Sequence, residues 1–178
     1  MLSPIFNIEK ITIEGNEKIT ENVIINLSEI TIGENTFKIH TGKVREKINE
    51  NAYIESVEIK RELPSKIKII VKERKPSFMI EIENRYAYIN NQGYILEINS
   101  EPLTLPILQG IQTEEENIQD GNRLCIEDLE KLATVLKIME VANSNEIGDL
   151  ITRIGIEDSK NYKIVMTSKQ KTAYLGDS

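Results

Sequence analysis

Residues 71–80, VKERKPSFMI, set a proline between two runs that each have the make-up of a strand. A proline nitrogen carries no hydrogen, so Pro76 cannot donate to a sheet ladder and is ill-suited to the interior of a central strand. The run before it is studded with lysine and ends in Arg74-Lys75, and an apolar run restarts at once with Phe78, Met79 and Ile80. The stretch reads as a seam between two folding units, expected at 1–75 and 76–178. Charge changes at the same place: 13 basic against 12 acidic residues before it, 9 against 17 after it.

Two units suit the length, because 178 residues can build two small cores. Isoleucine occurs 31 times and tryptophan not at all, and β-branched side chains favour pleated, half-buried surfaces. The first unit alternates accordingly. A strand is expected over 6–14, ending at Gly15-Asn16. Thr20 is placed to cap a helix over 21–29, with Val23, Ile24, Leu27 and Ile30 on one stripe. Thr41 is placed to cap a second helix over 43–51, where Val44 and Ile48 share a face. Strands 53–61 (Tyr53, Val57 and Ile59 to one side) and 66–74 (Ile67, Ile69 and Val71 to one side) flank the turn Glu62-Leu63-Pro64-Ser65. The order is β-α-α-β-β.

After Pro76 the pattern changes to short strands, at 77–82, 85–90 and 94–98, with Asn91-Gln92-Gly93 as a hairpin loop. An extended LPIL stretch and a polar surface loop over 110–121 follow. Residues 125–142 are the clearest helix, with Ile126, Leu129, Leu132, Ala133, Leu136 and Met139 as its apolar stripe. Strands are then expected at 150–156, 161–167 and 170–175. The fold class is α+β, a compact β-α-α-β-β unit followed by a mostly antiparallel β domain with one amphipathic helix.

Few residues suggest chemistry. His40 is the single histidine and Cys125 the single cysteine, so a histidine metal cluster and an internal disulfide are excluded. Cys125 opens the long helix, where a free cysteine usually packs as a small hydrophobe rather than acting as a nucleophile. No phosphate-cradling glycine motif occurs. No catalytic, cofactor-binding or metal residue is assigned, and no small-molecule substrate. A net charge of −7 argues against nucleic acid. The one concentration of positive charge is the 60–75 hairpin. Lys66, Lys68, Lys72 and Arg74 form a candidate basic interaction face there, against the plainer reading of a solvated sheet surface. Aromatic residues do not interleave these charges, as base stacking would require.

The opening FNIEKITIEGNEKIT and the series YIESVEIKRELPSKIKIIVKERKP resemble a POTRA domain. Followed by YAYINNQGYILEI, LPILQG and NYKIVMTSKQKTAYLGD, the whole chain resembles the extracytoplasmic region of the bacterial cell-division family FtsQ/DivIB. That resemblance implies a POTRA domain at 1–75 and a β domain at 76–178 that stops short of its last helix and strand. It implies a single-pass membrane protein whose transmembrane helix lies outside this chain, working outside the membrane at the division septum. Its function would be non-enzymatic, binding partners of the FtsB/DivIC and FtsL type and helping control septal peptidoglycan synthesis. Strand addition at the end of the β domain is the implied mode of binding, with Lys171, Ala173, Tyr174 and Leu175 as candidate contacts. A POTRA module of a protein-translocation or outer-membrane assembly system is the alternative.

Overall fold

The computed structural model describes residues 3–158, 161–167 and 171–176. Contacts divide the chain into two units, one ending at Arg74 and one beginning at Lys75.

In the first unit β1 (Lys10–Glu14), α1 (Glu21–Ser28), α2 (Thr41–Asn49), β2 (Ile54–Glu62) and β3 (Lys66–Glu73) follow in chain order. Its sheet runs β1-β3-β2, with β1 parallel to β3 and β2 antiparallel to it. Alternation along β3 turns Ile67, Ile69 and Val71 inward onto Val57, Ile24, Val44 and Ile48. Each of these side chains contributes roughly 1.5–3 kcal/mol by leaving water. Lys66, Lys68 and Lys72 alternate to the other face.

Two elements of this unit start more than one residue away from expectation. The strand expected at 6–14 starts only at Lys10, because Pro4–Phe6 form a 3-10 turn. Ile8 pairs with a loop instead, its N–H on the Glu34 carbonyl at 2.8 Å and its carbonyl taking Gly33 N–H at 2.8 Å. Alternation cannot distinguish those two partners. Helix α2 starts earlier than 43: His40 holds the N-cap position, its carbonyl accepts from Val44 N–H at 3.1 Å, and Thr41 lies inside the helix. Thr20 does take the N-cap position of α1, without a side-chain capping bond.

The second unit is a seven-stranded sheet, β10-β9-β8-β7-β4-β5-β6. Its strands are β4 (Pro76–Ile82), β5 (Arg85–Asn90), β6 (Ile95–Asn99), β7 (Ile107–Gln109), β8 (Ile151–Asp158), β9 (Asn161–Met166) and β10 (Lys171–Gly176). Neighbours are antiparallel except at β7, which runs parallel to both β4 and β8. Pro76 opens β4, and the register shifts between it and Phe78, which accommodates a residue without an N–H. Gln170, within the last expected strand, lies outside the described residues.

Helix α3 (Ile126–Ser144) covers one face of this sheet, where Phe78, Ile80, Ile89, Leu108, Ile154 and Ile164 form the core. The expected stripe is partly wrong. Ile126 is 71% exposed and Ala133 is exposed, whereas Asp128, Lys131, Leu132, Val135 and Ala142 are buried. Two charged residues on the inner face turn the helix away from the register its apolar residues alone suggest. The region 110–121 is likewise no simple surface loop, since Thr113 and Ile118 are buried in it.

Candidate interaction surfaces

Of the four residues expected to present one basic face, Lys66, Lys68 and Lys72 lie on the outer face of β3 and Arg74 departs from it. Lys66 is exposed. Lys68 lies 2.6 Å from Glu14 of the adjacent strand, and its hydrogen bond to that carboxylate holds its ammonium above the ordinary lysine range. Lys72 pairs with Glu55 at 2.8 Å. Arg74 is turned inward, its Nη1 donating to the carbonyls of Ala52, at 2.9 Å, and Ile54. Arg61, at the other end of the hairpin, donates to the carbonyls of Thr36 and Ile39 at 3.1 and 2.7 Å. Most of this charge is engaged within the unit.

Next to Arg74, the Glu73 carboxylate receives the backbone N–H groups of Glu17, Lys18 and Ile19 at 3.0, 2.8 and 3.0 Å. It fastens the loop between β1 and α1. Gly15 opens that loop at φ +85, and a Cβ there would stand 2.1 Å from the Val71 carbonyl oxygen. The tight approach demands glycine.

The last strand, β10, pairs with β9 from Lys171↔Met166 to Gly176↔Asn161 and ends the sheet order. Among the described residues no strand pairs with its other edge. Ala173 and Leu175 are exposed, Leu175 by 44%, opposite Ile164 and Tyr162 in register. The side chains of Lys171 and Tyr174 lie outside the described residues, so their backbone positions alone are placed.

Asp128 is completely buried in the first turn of α3. Its carboxylate accepts Gln112 N–H at 2.9 Å, Thr113 N–H at 2.8 Å and the Thr113 hydroxyl at 2.6 Å. The Thr113 hydroxyl oxygen in turn accepts Cys125 N–H at 2.9 Å. Burial alone would push the Asp128 carboxyl up. Hydrogen bonds from the Thr113 hydroxyl, the two backbone N–H groups and the Cys125 thiol outweigh it and hold the carboxyl below its usual range. Cys125 is half-buried within this cluster, and His40 is exposed at the start of α2.

Residues 6–74 match the family described as "POTRA domain, FtsQ-type". The chain is 35% identical over 164 residues to "Cell division protein DivIB" of Clostridium botulinum, covering 90% of this chain and 63% of that protein. It is 37% identical over 117 residues to the DivIB of Clostridium acetobutylicum, covering 65% of this chain and 47% of that protein. To "Cell division protein FtsQ" of Syntrophotalea carbinolica it is 24% identical over 159 residues, covering 88% and 55%. The chain is an FtsQ/DivIB relative, and its first unit is an FtsQ-type POTRA domain. It spans less than two thirds of the length of these curated relatives.

In this FtsQ/DivIB relative the ERKP sequence that ends the POTRA unit is structural. Glu73 fastens the loop after β1, and Arg74 fastens the segment before β2. Sequence reasoning counted Arg74 as surface charge, since nothing local shows that the carbonyls of residues 52 and 54 point at it. It also missed Asp128, and the signal was faint: a carboxylate in the first turn of a helix ordinarily interacts with the helix dipole in water. Lys131, one turn on, is buried as well, and its Nζ has no hydrogen-bond partner among the described residues. Among those residues no helix is long and apolar enough to cross a membrane, and no three side chains of His, Cys, Asp or Glu group as a metal site.

Proposed function

We propose that this chain is a non-catalytic binding module of the bacterial division machinery, acting outside the membrane at the septum as part of a single-pass protein. In this reading it holds partners of the FtsB/DivIC and FtsL type and so helps control septal peptidoglycan synthesis. The names of the relatives support the division role, and the position of β10 supports the mode of binding. A strand at the end of a sheet presents alternate N–H and C=O groups to any extended segment laid beside it. Backbone hydrogen bonds would supply most of the affinity. The exposed Ala173 and Leu175, with Lys171 and Tyr174 of the same strand, would supply selectivity.

The test is calorimetric titration with the extracytoplasmic segment of a DivIC-type partner, using this chain and its Ala173→Pro variant. Proline restricts the strand and removes an N–H, so binding is expected to weaken by about tenfold or more. Equal affinity of the two proteins would reject β10 as the binding edge. A parallel titration with Lys66→Ala is expected to leave affinity unchanged, because that residue lies on the POTRA unit's own sheet.

A further inference from the structure

The sheet of the second unit has another end, and it is not bare. Outside β6 runs the segment 110–124, which leaves β7 and returns to the start of α3. Gly121 N–H donates to the Ile95 carbonyl at 2.8 Å, and Ile95 N–H donates to the Asn122 carbonyl at 2.8 Å. Leu124 N–H reaches the Gly93 carbonyl at 3.0 Å. Arg123 adds a bond from its Nε to the Gln92 carbonyl at 2.9 Å and stands 5.3 Å from the Tyr94 ring centre. Residues 121–124 therefore occupy the outer edge at the beginning of β6 without forming a strand of the sheet.

Two anchors hold this strap. Ile118 and Leu124 are buried in the core beneath it. At its base the Asp128 carboxylate gathers the N–H groups of Gln112 and Thr113, and the Thr113 hydroxyl bridges that carboxylate to Cys125 N–H. Gln112 and Thr113, near the start of the strap, are thus tied to one buried anion, and Cys125, just past its end, is tied to it through the Thr113 hydroxyl. Closing a loop of this length costs chain entropy, and charge-assisted hydrogen bonds in a dry site are strong enough to offset it.

We propose that the 110–124 strap is an edge guard latched by Asp128. While the latch is closed, residues 121–124 occupy the β6 edge. Once it opens, the freed N–H and C=O of Ile95 and C=O of Gly93 become available to a second copy of this chain. Open sheet edges are standing sites for unwanted pairing, and covering one with a loop is a recognised way to suppress it. The guard covers the beginning of the β6 edge, and its existence does not depend on β10 having a partner.

The experiment is amide hydrogen exchange on the whole chain, with sedimentation to read self-association. In the unaltered protein the amides of Ile95, Gly121 and Leu124 are expected to exchange together, as one unit, and faster than those of Ile80 and Ile154 in the central strands. In Asp128→Ala the first three are expected to speed up by at least about tenfold relative to the second pair. A concentration-dependent dimer should appear with them. Thr113→Val, which keeps the carboxylate and loses only the hydroxyl, is expected to give the same pattern at smaller amplitude, and it serves should the alanine variant not fold. Unchanged exchange at Ile95, Gly121 and Leu124 would overturn the proposal. So would a rise matched by Ile80 and Ile154, which marks global destabilisation, or strap opening without self-association.

Discussion

Each unit of this chain fastens a loop with one carboxylate, and the two carboxylates live in different surroundings. Glu73 receives three consecutive backbone N–H groups at the rim of the POTRA sheet, with two of those bonds exposed to water. Asp128 receives its N–H and O–H donors where no solvent reaches the side chain. The donor geometry is similar, so the difference teaches what burial does to the same interaction. At the rim, water can replace a lost acceptor. In the interior the abandoned donors stay unpaired, and the deficit is theirs as much as the carboxylate's.

The comparison is broken most directly by removing each carboxylate in turn. Asp128→Ala is expected to destabilise the second unit by about 3 kcal/mol, since the buried Thr113 N–H and hydroxyl and the part-buried Gln112 N–H lose their acceptor. A urea titration read on amide signals of that unit measures it, and a loss below about 1 kcal/mol would contradict the account. Glu73→Ala is expected to cost about 1–1.5 kcal/mol, read the same way on the POTRA unit. An equal cost at the two sites would mean that burial is not what separates them.

Acid sharpens the same contrast. The Asp128 carboxyl is held below its ordinary range in the folded chain. Its contribution is therefore fully present above the unfolded value near ~3.9 and is lost as pH falls through the folded value. Stability of the second unit should fall below about pH 4, and Asp128→Asn should flatten that fall while lowering stability at neutral pH. A fall of the same steepness in the asparagine variant would assign the acid sensitivity to other carboxylates.

The smallest effect is expected at the sheet surface. Lys68 pairs with Glu14 at 2.6 Å in a setting open to water, where such pairs are weak. Lys68→Ala should change the thermal midpoint of the POTRA unit by no more than the scatter of repeated melts. A clear drop would show that the outer face of this sheet does more than stay solvated.

Several elements could be read directly along the chain. The turn at Gly93 was visible as Asn91-Gln92-Gly93, and its φ of +79 is the conformation glycine permits. Alternation in 66–74 pointed Ile67, Ile69 and Val71 inward without knowledge of any partner. The quoted motifs of the first unit likewise pointed to a POTRA fold. Each signal is local: a period of two along a strand, a backbone angle, the absence of an N–H at Pro76.

What the chain alone did not reveal depends on groups distant in sequence. The rotation of α3 was missed because Asp128 becomes a core residue only when residues 112 and 113 arrive, 15 or 16 positions earlier. Arg74 looked like surface charge because the carbonyls it binds lie about 20 positions away. The parallel seat of β7 between β4 and β8 is a matter of assembly, since a three-residue strand carries almost no periodicity of its own. Sequence determined which segments would be strands and helices and which faces of the first unit's sheet are apolar, because those follow from side-chain spacing and backbone chemistry. Tertiary structure alone decided which charged residues are buried, which loop closes an edge and which strand ends the sheet, because a hydrogen-bond partner is defined by position in space.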